Sequence, residues 1–302
     1  MGICLRDLPD QPPPGGGVDL PAAIATAARL GFGTIQLPSV RLVSPTLDKG
    51  ELSEIGALAI ASGITLTAAL PSAHPDRVER SWGLDRHAPQ HPFAQIDAGD
   101  SLGIASFHVV VGVDEDRFRE TPSWADQLDR TSGVLTSLVS WASCPIVLKT
   151  HEEMTTFEAI RLCDRVSGLW LGFSPVNVVA RLEDPLSAAR RSSPFVHTVF
   201  VDDCALARTS EGLSRLMRPI GAGALPWPSM FDALPASADV TIDLHRAELS
   251  MPLTDPLWLS HQPELTDDEL ASLYAMSVAE GSPSSPVEER RAIALQLAVV
   301  PG

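Results

Sequence analysis

The residues able to do chemistry sit just after short apolar runs. Lys149-Thr150-His151-Glu152-Glu153 ends the run that starts at Pro145, and Ser174 and Asn177 follow Leu169 to Phe173. Asp202 and Asp203 follow His197 to Val201, and Asp243 and His245 lie within and after Val240 to Leu244. Phe200 lies inside its run, as do His108 in Phe107 to Val111 and Gln36 in Thr34 to Leu37. A lysine in a dry mouth can polarise a carbonyl, act as a base once its pKa falls, or form a Schiff base. Histidines and carboxylates can carry protons or hold a metal. Pro71 to Pro92 adds His74, Arg77, Arg80, Trp82, Arg86, His87 and His91 in a stretch too polar for core, and reads as a functional loop or lid.

These side chains act together only if the chain gathers the ends of the runs. Most runs are followed by a helical pattern. Strands are expected at Ile3–Leu8, Thr34–Leu37, Ile64–Leu70, Phe107–Val111, Pro145–Lys149, Leu169–Phe173, His197–Val201 and Val240–Leu244. Helices are expected at Leu20–Leu30, Glu51–Ser62, Phe93–Leu102, Trp124–Ala142, Thr155–Val166, Pro185–Arg191, Ser210–Arg218 and Ser229–Leu234. Gly31 and Gly63 stop two of them, and Thr155 with Glu158 starts another as a capping box. Eight such units fit an α/β fold, a (β/α)8 barrel over residues 1–248. Near-continuous apolar strands suit a parallel sheet buried on both faces. An open doubly wound sheet is less favoured, because no G-x-G-x-x-G follows the first strand. Residues 249–302 read as a helical extension on the barrel, with helices at Thr266–Ala279 and Val287–Val299.

In such a barrel the chemistry lies at the C-terminal ends of the strands. Side chains alternate along a strand, so Lys149 and His151 share a face, as do Phe200 and Asp202, and Asp243 and His245. Convergent charges in one mouth are costly unless used or paired.

Composition narrows the partners. The 302 residues hold 22 Lys plus Arg against 38 Asp plus Glu, a net charge of −16. That argues against nucleic acid or an anionic membrane, since both need a basic face. Only Lys49 and Lys149 are lysines; the remaining cations are arginines. Cys4, Cys144, Cys163 and Cys204 form no C-x-x-C pair and no disulfide framework. No signal peptide or membrane span is expected, which predicts a cytoplasmic protein with a small-molecule substrate; a homodimer stays open.

The chain resembles the xylose-isomerase-like TIM barrel superfamily of sugar (phosphate) isomerases and epimerases, from Gly2 to about Leu273. The resemblance rests on Ala22-Ala23-Ile24, Leu30-Gly31-Phe32 with Thr34-Ile35-Gln36-Leu37, and Val147-Leu148-Lys149-Thr150-His151-Glu152-Glu153. It continues through Thr155-Thr156-Phe157-Glu158, Leu171-Gly172-Phe173 with Asn177, Glu183-Asp184-Pro185, Ser193-Pro194-Phe195-Val196 and Ile220-Gly221-Ala222-Gly223. No single segment is specific; their order and spacing are. The resemblance implies one divalent cation held by Glu, Asp, His and Glu from strands five to eight. In this chain those positions fall on Lys149, Ser174, Phe200 and Asp243. Only Asp243 could ligate, and an ammonium in the cation's place repels it. No metal or other cofactor is therefore expected.

The expected function is a metal-independent isomerase, epimerase or related lyase or cyclase acting on a small polar carbonyl or hydroxy compound, in a biosynthetic step. Lys149, His151, Asp243 and His245 are the catalytic candidates. His108, Trp82, Phe200, Asp202, Ser174, Asn177, Gln36 and Glu152 are the substrate-binding candidates. Two alternatives stay open. One is a non-catalytic partner subunit, favoured if aromatic side chains and Pro175 plug the mouth. The other is a relocated metal on His151, Glu152, Asp202 and His245, which a one-residue register shift turning Thr150 inward would favour.

Overall fold

A computed structural model describes residues 1–9, 18–77, 85–279 and 281–297. Eight parallel strands close into a barrel: β1 (Gly2–Cys4), β2 (Thr34–Leu37), β3 (Thr65–Ala69), β4 (Ile104–Val109), β5 (Ile146–Lys149), β6 (Leu169–Phe173), β7 (Val196–Val201) and β10 (Asp239–Ile242). They follow one another round the barrel, and β10 closes it against β1. Helices connect them, and this is the (β/α)8 TIM barrel that the spacing predicts. The apolar runs are buried because helices cover one face and the barrel core the other; Ile3, Ile35, Leu148 and Leu171 are fully buried.

Local signals set most boundaries. Thr155 accepts a hydrogen bond from the Glu158 N–H (3.2 Å), and Glu158 accepts one from the Thr155 N–H (2.8 Å), closing the expected capping box at the helix Thr156–Arg165. Gly31 and Gly63 take positive φ just past their helices. The first strand is shorter than expected: it ends at Cys4, and Leu5–Asp7 forms a 3-10 turn that lifts Arg6 onto the barrel rim.

One assignment is overturned. Residues 213–218 are not helical. They form β9 (Leu213–Arg218), antiparallel to β8 (Asp203–Arg208) across a tight turn at Gly212. Leu213, Leu216 and Met217 fit a helical spacing, but cross-strand pairing decides the outcome. A Cβ on Gly212 would lie 2.2 Å from the Met251 carbonyl oxygen, so glycine is required there. β11 (Leu249–Met251) and β12 (Ser277–Val278) complete this auxiliary sheet, in the order β11-β9-β8-β12. The C-terminal extension adds helices Asp267–Met276 and Val287–Leu297. Among the described residues, no helix is long and apolar enough to cross a membrane.

A buried polar hub braces the loops beside β4 and β5. Arg117, 1% exposed, donates to both Glu158 carboxylate oxygens (2.8 and 3.0 Å), to the Glu153 carbonyl (3.0 Å) and to the His261 carbonyl (2.8 Å). The Trp124 indole N–H also donates to Glu158, at 3.0 Å. Removing one partner of a buried pair strands the other charge. Glu158→Ala is expected to cost about 3–5 kcal/mol in denaturant unfolding. Thr155→Ala, which removes only a cap, is expected to cost about 1 kcal/mol.

Candidate active site in the barrel mouth

At the C-terminal end of the barrel, side chains from six strand ends form one layer. Cys4 (β1) donates to Gln36 (β2) at 3.2 Å. His108 (β4) meets the Phe200 ring (β7) edge-on, with centroids 5.2 Å apart. Lys149 ends β5, and its Nζ lies 4.2 Å from the centre of the Phe200 ring, a cation–π contact. The same Nζ forms an ion pair with Asp243, the residue that follows β10. Arg6 from the rim binds the other oxygen of Asp243, so two cations hold one buried carboxylate.

Gly172 makes room for this layer. A Cβ there would lie 2.7 Å from the Phe200 ring and 3.4 Å from Lys149 Cα. Lys149 pairs with Gly172 in the β5–β6 ladder and faces the mouth. Thr150 does not; it is buried in the wall, where its Oγ accepts from the Ser174 N–H at 2.8 Å. The register is therefore the one that points Lys149 inward.

The mouth opens into a cavity of about 460 Å³. Of the candidates, Gln36, His108, Lys149, His151, Glu152, Asp243 and His245 line it. Phe200 is buried beneath Lys149. Ser174, Asn177 and Asp202, expected at the substrate, are fully buried and do not line this cavity. Pro175 is buried and does not line the cavity. Trp82 and Arg80 lie outside the described residues. Of the described histidines of the expected lid, His87 is exposed and the other two serve structure. His74 is buried and bonds Gln127, and His91 caps the helix Pro92–Leu102 by accepting from the Phe93 N–H at 3.3 Å.

The sequence did not single out four of the lining residues: Cys4, Arg6, Arg215 and Arg246. Arg215 lay within the expected helix. Arg6 lay inside the expected first strand, which ends two residues before it. Arg6 and Arg246 both reach the buried carboxylate of Asp7, at 3.8 and 3.3 Å.

The electrostatics divide the titratable groups. Burial pushes the Asp243 carboxyl up, but Lys149 and Arg6 outweigh it and hold the pKa well below the usual range. Burial disfavours the charged form of His151, yet Glu153, 2.6 Å from its Nδ1, turns the balance and raises its pKa. The Gly112 N–H holds the other oxygen of Glu153 at 3.0 Å. Burial and then Lys149 lower His108 to about 3, and its Nδ1 has no hydrogen-bond partner among the described residues. Burial raises Asp7 to about 6 and the Cys4 thiol well above its ordinary value.

These donors do not suit a hard cation. The four positions matched to the family's ligands present an ammonium, a hydroxyl, a phenyl ring and one carboxylate already bound by two cations. Among the described residues, Cys4, Asp7 and Asp243 have ligand atoms within 4.8 Å of one another. Asp7, however, accepts from the Leu244 N–H (2.9 Å) and from Arg246, and the thiol is held protonated. His151, Glu152, Asp202 and His245 form no such group among the described residues.

The sequence and the fold match a known protein family. The Xylose isomerase-like TIM barrel model matches residues 24–272. The chain belongs to that family. Its solved neighbours are remote in sequence. A D-psicose 3-epimerase with D-tagatose from Clostridium cellulolyticum H10 is 15% identical, with TM-score 0.61 over 97% of this chain and 98% of that one. A probable 3-DHS dehydratase involved in petrobactin synthesis, from Bacillus anthracis, is 10% identical, with TM-score 0.59 over 88% and 98%. A protein solved with a binding zinc atom is 15% identical, with TM-score 0.58 over 91% and 96%. No curated protein matches the sequence.

His108 yields a test of the electrostatics. Its folded pKa of about 3 lies below the ordinary 6.5, so between those values the unfolded chain binds more protons. The stability His108 contributes is present above pH 6.5 and is lost as the pH falls toward 3. Across that range the native chain is expected to lose unfolding free energy relative to His108→Phe as the medium is acidified. A constant difference would contradict the assignment.

Proposed function

We propose that the barrel mouth is the active site of an isomerase or epimerase-like enzyme for a small polar carbonyl or hydroxy compound. In this reading Lys149, not a divalent metal, supplies the positive charge. The observation that carries it is the placement of Nζ: in the cavity lining, over Phe200 and against Asp243, two of the other positions that the resemblance matches to metal ligands. A fixed ammonium next to a bound carbonyl stabilises negative charge as it develops on oxygen, and a low-dielectric wall strengthens the effect.

The remaining groups fall into roles by protonation state. Asp243, held ionised by two cations, orients Lys149 and is a poor base. His108 stays neutral and packs the floor. His151, whose pKa Glu153 raises, is the proton carrier, and Glu152 beside it lines the same cavity. Abstracting a proton next to a carbonyl and returning it elsewhere needs such a pair: a cation at the oxygen and an acid–base group at the carbon. Arg6 and Arg246 on the rim can hold a further oxygen or an anionic group of the substrate. The open cavity supports this reading over that of a non-catalytic partner subunit.

Two of the neighbours are described as a sugar epimerase and a probable dehydratase. Both chemistries can begin with proton loss beside a carbonyl, which supports the same reading. The test is exchange of substrate hydrogen with deuterated water, followed by NMR over a panel of ketoses and keto acids. With a compound that exchanges, Lys149→Met is expected to lower the rate about 100-fold or more while melting cooperatively. An unchanged rate in the folded variant would overturn the role of Lys149.

A further inference from the structure

His245 is gripped on both sides by arginines from outside the eight βα units. Arg290 belongs to the helix Val287–Leu297, beyond the residues matched by the family model. It is 2% exposed and donates to both oxygens of Asp202, at 3.1 and 3.2 Å, and to the His245 carbonyl. Asp202 in turn accepts from the His245 backbone N–H at 2.6 Å and faces its Nδ1 at 3.3 Å. On the other side, Arg215 from β9 is fully buried and donates to Asn177 Oδ1 at 3.1 Å. That bond sets which end of the Asn177 amide is oxygen. The amide nitrogen therefore faces His245 Nε2, 3.1 Å away, nearer than its other acceptors, the Thr150 carbonyl at 3.2 Å and Ser174 Oγ at 3.3 Å.

The ends of this chain have one direction only. A guanidinium only donates, and an ionised carboxylate only accepts. Asp202 thus requires a proton on Nδ1, and the Asn177 amide N–H requires a lone pair on Nε2. We propose that Arg290 and Arg215 are positioning residues that lock His245 as the neutral Nδ1–H tautomer in the cavity wall. A proton on Nε2 would set two donors against each other. This inference rests on the mouth being the active site, and it gives that site a division of labour. His151 is free to carry protons, while His245 offers the substrate a neutral edge of fixed orientation.

The surroundings agree. The charged groups facing His245 are Asp202 past β7, Asp243 past β10, Lys149 on β5 and Arg290 on the last helix. Arg215 acts on it through Asn177, and Glu152 and Arg246 share its cavity wall. Burial lowers its pKa against the pull of the two aspartates.

The test reads the imidazole directly and needs no substrate, so its failure would leave the role of Lys149 standing. The full-length chain is labelled with 15N-histidine, and long-range 1H–15N correlations are followed against pH. His245→Gln assigns the resonance among the eight histidines. The native chain is expected to show one protonated and one bare nitrogen, with the proton on Nδ1, and to titrate below 6.5. Arg290→Gln leaves Asp202 uncompensated and is expected to raise that midpoint by about one unit, a tenfold gain in proton affinity. Asn177→Asp sets a carboxylate against Nε2 and is expected to raise it as well. An Nε2–H tautomer in the native chain would overturn the proposal on its own, whether or not the variants fold. An unchanged midpoint in folded Arg290→Gln would do the same.

Discussion

Everything in the barrel mouth is arranged around one carboxylate shared by two cations. Asp243 is buried, and a buried charge persists only when paired. Lys149 and Arg6 take one oxygen each. That choice fixes the direction of Lys149 and puts its ammonium over Phe200, where it adds to the burial that lowers the pKa of neighbouring His108. It also uses up the one carboxylate among the four positions that the sequence resemblance assigns to metal ligands. Gly172 is part of the same constraint, because any side chain there would displace Phe200 from beneath the ammonium.

A second shell holds the first. The Arg117–Glu158 hub fixes the Glu153 backbone, and the Glu153 carboxylate fixes His151. The auxiliary sheet and the last helix contribute Arg215 and Arg290, which fix Asn177, Asp202 and His245. Outside the mouth, the Asp203 carboxylate accepts N–H bonds from Cys204, Gly221 and Gly223 at 2.8 to 3.2 Å, tying the return loop to the start of β8. Fully buried arginines are costly to bury and hard to replace, so the additions to the barrel are coupled to the site and do more than cover it.

Much of this was legible in the sequence, for physical reasons. Strands buried on both faces must be apolar runs, so the eight barrel strands could be located; alternation put Lys149 and His151 on one face, and the resemblance put Lys149 at the mouth, with a one-residue shift left open. Other features were hidden because they depend on partners distant in the chain. Leu213, Leu216 and Met217 satisfy helical spacing as well as they satisfy a strand, and only β8 decides between them. Asp202 shares its alternation with Phe200, yet it serves Arg290 behind the wall, and nothing near residue 202 announces an arginine 88 positions later. Arg6 was masked by a strand that stops at Cys4.

The central claim is that the Lys149 ammonium stands where relatives of this fold are expected to place a cation. It is tested most directly by the metal content of the full chain, expressed in metal-replete medium and purified without chelator, measured by mass spectrometry against protein concentration. The account predicts Mn, Co, Fe and Zn all far below one equivalent, with the fold intact. A stoichiometric divalent metal, lost on Asp243→Asn, would contradict it.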